Sequence, residues 1–347
     1  MTEALVEVVR GELREACHRG RVAVVDATGR VRTAVGDPAG RVVYWRSSAK
    51  PFQAMPLVSS GAAARWRLSS EDLALICASH SGEPSHVARL TTLLERLSLC
   101  ASDLTCGAHP PLNPDAAEAL LRDGREPSVL HNNCSGNHIG MLALARHLGV
   151  DPSGYASPGH PVQRELLQSV LRFSGLTADE VVIGVDGCGV PTYGTTVTQM
   201  ALAFARLMEP MGVEKPHADA ARTVRDAMMA HPEIVGGAGR FDTDLMRIGR
   251  GRLLSKGGAG GVECIGIIGG TGLSIAVEDG AGPGSPGRPT AVAAIEALRQ
   301  IGALDQVDLK SLSSHARPSI RTVAGKPVGE ARPVFTLVRT RADLRSQ

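Results

Sequence analysis

The chain has 347 residues, enough for one large α/β domain with a buried core, and its 37 Lys+Arg against 35 Asp+Glu leave a net charge of +2. That balance, with no basic block, gives no electrostatic footprint for nucleic acid or an anionic membrane, and no apolar run approaches the roughly eighteen residues of a membrane span. The N-terminus lacks a signal-peptide pattern, so a cytoplasmic protein with neither nucleic-acid nor membrane partner is expected.

Aromatic residues make up only 3% of the chain while Gly numbers 40, so Ala, Val, Leu and Ile must build the core by close helix-on-sheet packing. Seven cysteines at irregular spacings fit a reducing compartment rather than a disulfide framework. Cys17, Cys77 and Cys100 sit among apolar neighbours and read as small core residues.

Taken in order, Val6 to Val9, Arg21 to Val25, Val31 to Val35 and Arg41 to Tyr44 read as strands of an antiparallel meander joined by Gly-containing turns. The last delivers the chain to Trp45-Arg46-Ser47-Ser48-Ala49-Lys50-Pro51, where Ser47 or Ser48 is expected to cap a helix with Pro51 in its first turn. Residues i and i+3 share a helical face, so Ser47 Oγ and Lys50 Nζ can meet while Ser48 points away. A lysine kept neutral by burial or a neighbouring cation can take a serine proton without histidine. A single Ser-x-x-Lys is common on ordinary surfaces, so its weight depends on the motifs further along the chain.

Helices are expected from Ser70 to Cys77 and His86 to Leu97, separated by the polar Ser79-His80-Ser81-Gly82-Glu83, which a plain capped turn would also explain. A helix from Asp115 to Arg122 precedes His131-Asn132-Asn133-Cys134-Ser135-Gly136-Asn137-His138. Cys134 there opens a helix between two histidines, as metal ligand, nucleophile or core thiol. After a helix from Pro161 to Ser174, an apolar strand from Glu180 to Val185 ends at Asp186-Gly187-Cys188, either a site at a sheet edge or an Asp-Gly turn.

Helices from Val197 to Leu207 and Ala218 to Met229 come next, and then glycines crowd around 235–244 and 254–262. Neither GxxxxGK[ST] nor GxGxxG in a strand-to-helix context is present, so these are not read as phosphate loops. Lys256-Gly257-Gly258 leads instead into a hairpin of Val262 to Ile268 and Gly272 to Val277. A surface linker from Asp279 to Pro289, a helix from Thr290 to Leu298 and a polar strand region with Arg339 to Gln347 complete the chain. Residues 1–347 are taken as one domain of two lobes, a sheet lobe from both ends and a helical lobe from the middle.

The colinear segments RSSAKPFQA, ASHSGE, CGAHPP, HNNCSGNH, DGCGVPT, GRFDTDLM and KGGAG resemble the Rhizobium-etli-type (type 3, inducible) L-asparaginases. The order of Ser-x-x-Lys, second serine cluster and late Lys-Gly is also similar to that of serine β-lactamases and penicillin-binding proteins. The resemblance implies a β-lactamase/glutaminase-like α/β fold, an αβα sandwich with a mainly antiparallel sheet and a helical lobe, in a homodimer. It implies two catalytic pairs, Ser47 with Lys50 and Ser79 with Lys256, and a zinc site on Cys134 and Cys188. Where the family has a lysine ligand this sequence has Asn137, so zinc is expected to be weak or absent, or completed by Asp186, His138 or water. Gly260 stands where the family commonly has an acidic residue.

The expected reaction is hydrolysis of L-asparagine to L-aspartate and ammonia: Ser47, deprotonated by Lys50, attacks the side-chain amide, and water clears the ester. Amides around Ser47 and Ser48 would hold the oxyanion, while Arg46, Ser48, His138 and Asp186 would bind the substrate. The alternatives are a related amidohydrolase or acyl-transferase acting on glutamine, or a non-catalytic zinc- or amino-acid-binding homologue.

Overall fold

The structure, a computed structural model, describes residues 1–279 and 288–339. Its strands are β1 (Glu3–Arg10), β2 (Leu13–Asp26), β3 (Val31–Val35), β4 (Val43–Tyr44), β5 (Val182–Val185), β6 (Pro191–Thr195), β7 (Leu253–Gly258), β8 (Val262–Ile267), β9 (Thr271–Val277), β10 (Ser319–Arg321), β11 (Pro327–Pro333) and β12 (Val338–Arg339). The chain forms two compact units: Met1–Ser48, Gly194–Met211 and the stretch from Ile248 onward make the first, Ala49–Tyr193 and Gly212–Arg247 the second. The fold class is α/β with a mainly antiparallel sheet.

The first unit is built on β2. One side of its first half pairs with β1, while its second half lies between β3 and β9, all antiparallel, in the order β10-β11-β1-β2-β9-β8-β7. The expected strand from Arg21 to Val25 is thus only the end of a 14-residue strand. Its first half is largely exposed and polar, so hydrophobic alternation does not reveal it, and cross-strand ion pairs such as Arg14 with Glu7 dress it instead. The sheet carries helices on both faces. Ala23, Val25 and Ala276 pack on Val197 and Ala201 of the helix Val197–Met208. Leu273, Ile275 and Val277, of the opposite register, are buried too, and the helix Pro289–Gln300 packs on β9.

Two further expectations do not hold. β4 leaves the meander and pairs with the end of β6, Val43 with Thr195 and Tyr44 with Gly194. Lys256 lies inside β7, facing Cys264 on β8, rather than in a loop before the strand.

The second unit is helical around Lys50–Ser59, whose residues Lys50 to Leu57 are all buried, as expected of a central helix wrapped by others. The helices Lys215–Ala230, Pro161–Ser174 and Ser135–Leu148 pack on it, with Phe52 and Phe173 rings 5.7 Å apart. The helix Ser70–Ile76 starts with a capping box, Ser69 with Asp72. Of the three cysteines read as core, Cys77 is buried, Cys17 half-buried and Cys100 exposed. Among the described residues no helix is long and apolar enough to cross a membrane. Residues 280–287 of the expected linker and 340–347 of the expected final strand region lie outside the described residues.

Candidate active site

In the helical unit, Lys50 begins its helix with Ala49 as N-cap. Ser47 and Ser48 therefore precede the cap, in a 3-10 turn Arg46–Ala49, instead of occupying it. Lys50 is 3% exposed and its ammonium meets three acceptors: Ala78 O at 2.6 Å, Ser79 Oγ at 3.1 Å and Asn133 O at 3.3 Å. The bond to Ser79 joins two groups that the resemblance places in separate pairs. Ser79 is held in turn by its N–H on Val235 O at 3.0 Å, and Ser81 Oγ donates to Gly236 O at 2.9 Å.

Asn133 reaches Lys50 because the helix Ser135–Leu148 sits unusually close to its neighbours. A Cβ on Gly136 would lie 2.2 Å from Leu75 O, and one on Gly140 2.7 Å from Ile76 Cγ2. These two glycines, four apart on one face, bring the CSGNH turn against the segment that carries Ser79. Asn132 shapes the turn, accepting the Cys134 N–H at 2.8 Å and donating to Cys106 O and Gly107 O, which ties HNNC to CGAHPP. His80 Nδ1 accepts the Gly82 N–H at 3.2 Å, so Nε2 bears the proton that goes to Ser135 Oγ at 2.9 Å. Burial first, then the charges of His86 and Lys50, push the His80 imidazole well below its ordinary pKa and keep it neutral.

Cys134 Sγ lies 3.1 Å from Asn133 Oδ1, and the neighbouring Cys188 thiol, then the Lys50 ammonium, favour ionisation of Cys134 against burial and Asp186. The Cys134 sulfur together with burial pushes Cys188 up. Asp186 is half-buried in the turn after β5, its backbone N–H on Val190 O at 2.8 Å. The structure thus brings together Lys50, Ser79, Cys134, Cys188 and Asp186.

Where the resemblance places zinc, the chain offers the thiols of Cys134 and Cys188 and the amide of Asn137. Among the described residues no three His, Cys, Asp or Glu side chains converge on a metal position. Asn137 Oδ1 is buried and unpaired, and hence available, but two thiols and an amide oxygen fall short of the three or four strong donors that zinc takes.

In the sheet unit, Lys256 is fully buried and donates to Gly257 O at 2.7 Å. Gly258 lets β7 run against the turn, since a Cβ there would lie 2.4 Å from Trp45 O. Trp45 is anchored by Nε1 on Thr195 Oγ1 at 2.8 Å. Arg46 has φ 52°, a left-handed conformation unusual for a residue with a side chain, and Ser47 comes directly after it, half-buried. Ser48, expected to touch substrate, is fully buried, and both its N–H (3.1 Å) and its hydroxyl (2.7 Å) donate to Trp45 O. Its amide is therefore spent on the turn.

Residues 6–333 match the family described as L-asparaginase II. The chain belongs to that family. Among curated proteins no sequence matches it significantly. Of solved structures, Mglu in its native form is similar at 17% identity and a TM-score of 0.43, over 87% of this chain and 69% of that one. In two further Mglu structures the chain spans 66% and 63% of the other's length. A β-lactamase from Burkholderia ambifaria is 14% identical, with TM-score 0.38, over 83% of this chain and 95% of that one. D-alanine carboxypeptidase AmpC from Burkholderia cenocepacia is 12% identical, with TM-score 0.39, over 82% and 93%.

Three contributors to this asparaginase II site escape a reading of the sequence. Asn133 acts through its backbone carbonyl, which no side-chain pattern announces. Gly136 acts by what it lacks. Tyr155, whose hydroxyl lies 2.6 Å from His138 Nδ1, had one available signal: it is one of three tyrosines in a chain poor in aromatics.

Proposed function

We propose that this protein is an L-asparagine amidohydrolase that releases ammonia and L-aspartate through a serine acyl-enzyme. The observation that carries the reading is the buried Lys50–Ser79 couple, with Ser79 Oγ 3.1 Å from the ammonium in a chain of the L-asparaginase II family. A hydroxyl that accepts a hydrogen bond from an ammonium can pass its own proton on and be reprotonated by the lysine, which is the relay an amide leaving group requires.

Ser47 supplies the attacking oxygen. Its O–H proton passes to Lys50 in the free-amine form, its bond to the side-chain carbonyl carbon forms, the C–N bond breaks, and the nitrogen leaves as ammonia after taking that proton from Lys50 through Ser79. Water then adds to the ester, the C–O bond to Ser47 breaks, and aspartate leaves with Ser47 reprotonated. With the Ser48 N–H committed to Trp45, the Ser47 N–H is the nominated oxyanion donor. Arg46 and Asp186 take the substrate's carboxylate and ammonium by charge complementarity, and His138 takes an oxygen. Lys256 is the second lysine, a buried cation in the strand that runs beside the Trp45–Arg46 turn.

The test is ammonia release from L-asparagine together with intact mass after rapid quench. Wild type should release ammonia and show an aspartyl adduct that Ser47→Ala lacks. Ammonia release by Ser47→Ala at the wild-type rate would end this assignment.

A further inference from the structure

His138 lies on the first turns of the helix Ser135–Leu148, fully buried, and its two ring nitrogens have different surroundings. Nδ1 is 2.6 Å from the hydroxyl of Tyr155, itself 2% exposed. The Tyr155 oxygen also receives the Thr105 N–H at 3.0 Å and the Thr105 hydroxyl at 3.1 Å. With both lone pairs of the phenol occupied, its proton is directed to Nδ1. The intrinsic chemistry agrees, because a phenol is a better donor than a neutral imidazole and an imidazole nitrogen a better acceptor than a phenol oxygen.

The hydrogen of the neutral ring is therefore on Nε2, a buried atom with no hydrogen-bond partner among the described residues. The edge-to-face contact of the two rings, 5.5 Å between centroids at 84°, holds the plane in which that N–H points. A buried N–H without an acceptor is costly unless a ligand completes it.

We infer that Tyr155, set by Thr105, is a positioning residue that fixes His138 as an Nε2–H donor for an sp² oxygen of the bound amino-acid substrate. The inference deepens the amidohydrolase reading and rests on it for the identity of the substrate. Tyr155 touches no reacting atom. It decides which face of the imidazole offers a hydrogen, and Thr105 decides the direction of the phenol. An uncharged donor suits this place, beside the Lys50 ammonium, since it binds oxygen without adding a second cation.

The experiment uses the full chain labelled with 15N-histidine, the His138 signals being assigned by their loss in His138→Gln. Wild type should show a protonated Nε2 and a bare Nδ1, with the Nε2 resonance moving when L-aspartate is added. Tyr155→Phe should mix the tautomers and raise the KM for L-asparagine about tenfold, with kcat changed less. Gln at 138 offers an amide N–H that needs no tautomer, so adding Tyr155→Phe to His138→Gln should cost less than threefold more. A wild-type Nδ1–H tautomer, an unchanged tautomer in Tyr155→Phe, or a full additional loss in the double variant would overturn the inference. Wild type that releases no ammonia would instead sink the amidohydrolase reading, while the spectra would still decide the tautomer.

Discussion

Lys50 and Lys256 are both buried, 3% and 0% exposed, yet each unit fixes its lysine by a different means. The acceptors of Lys50 come from residues 28, 29 and 83 positions away and meet only because several helices pack. Lys256 sits in a strand, opposite Cys264, and bonds the carbonyl of its immediate neighbour Gly257. Lys50 is held by tertiary packing, while Lys256 takes its place on the strand from the register with β8. The lysine of the helical unit should therefore respond to substitutions far from it in the chain.

The two close-approach glycines probe this contrast most strongly. Gly136→Ala forces a Cβ onto the Leu75 carbonyl and should lower stability by about 3 kcal/mol, with ammonia release falling at least tenfold as Asn133 O withdraws from Lys50. Gly258→Ala crowds Trp45 O in the sheet unit and should leave hydrogen exchange of the helix Ser135–Leu148 unchanged. Chemical denaturation and exchange mapping check both, and equal disturbance of that helix by the two variants would erase the distinction.

Acid should separate the units next. Burial, then the Lys50 charge, depress His138 from its ordinary 6.5 to about 3, and His80 is lowered by the same burial. The unfolded chain then binds protons first as pH falls, so this stability is complete above about 6.5 and is lost on the way down towards 3. By pH 5 His138 alone should cost about 2 kcal/mol, from 1.36 kcal/mol per pH unit. Amide exchange at pH 5 against pH 7 should show earlier opening of the helix Ser135–Leu148 than of β2. Equal protection of the two at both values would contradict this.

The smallest effect concerns the turn before Ser47. Arg46 holds φ 52° at a cost of about 1 kcal/mol, so Arg46→Gly should raise the denaturation midpoint slightly while weakening binding of a carboxylate-bearing substrate. A lower midpoint would mean that the arginine side chain contributes more than the strain removes.

How far the sequence announces this structure depends on the kind of information each part needs. Ser69-x-x-Asp72 announces its helix because capping is local, and Pro161 to Ser174 because its apolar period is regular. The first half of β2 is hidden because polar, solvent-facing residues carry no alternation. In the site, Lys50, Ser79, Cys134 and Asp186 stand out as chemical types at element ends. Their partners do not: the Ala78 and Asn133 carbonyls are common to any residue, and the Lys50–Ser79 contact arises from packing that no spacing in the chain encodes. The Ser48 amide reads as free in the sequence because a 3-10 turn and an α-helix start differ in which N–H they spend.

The central claim is that Lys50, acting with Ser79, moves the protons of amide hydrolysis. Ammonia release from L-asparagine by Lys50→Met, which keeps the length of the side chain and removes the ammonium, tests it most directly. A folded variant should lose about a thousandfold or more in kcat/KM. Activity within tenfold of wild type would contradict the account.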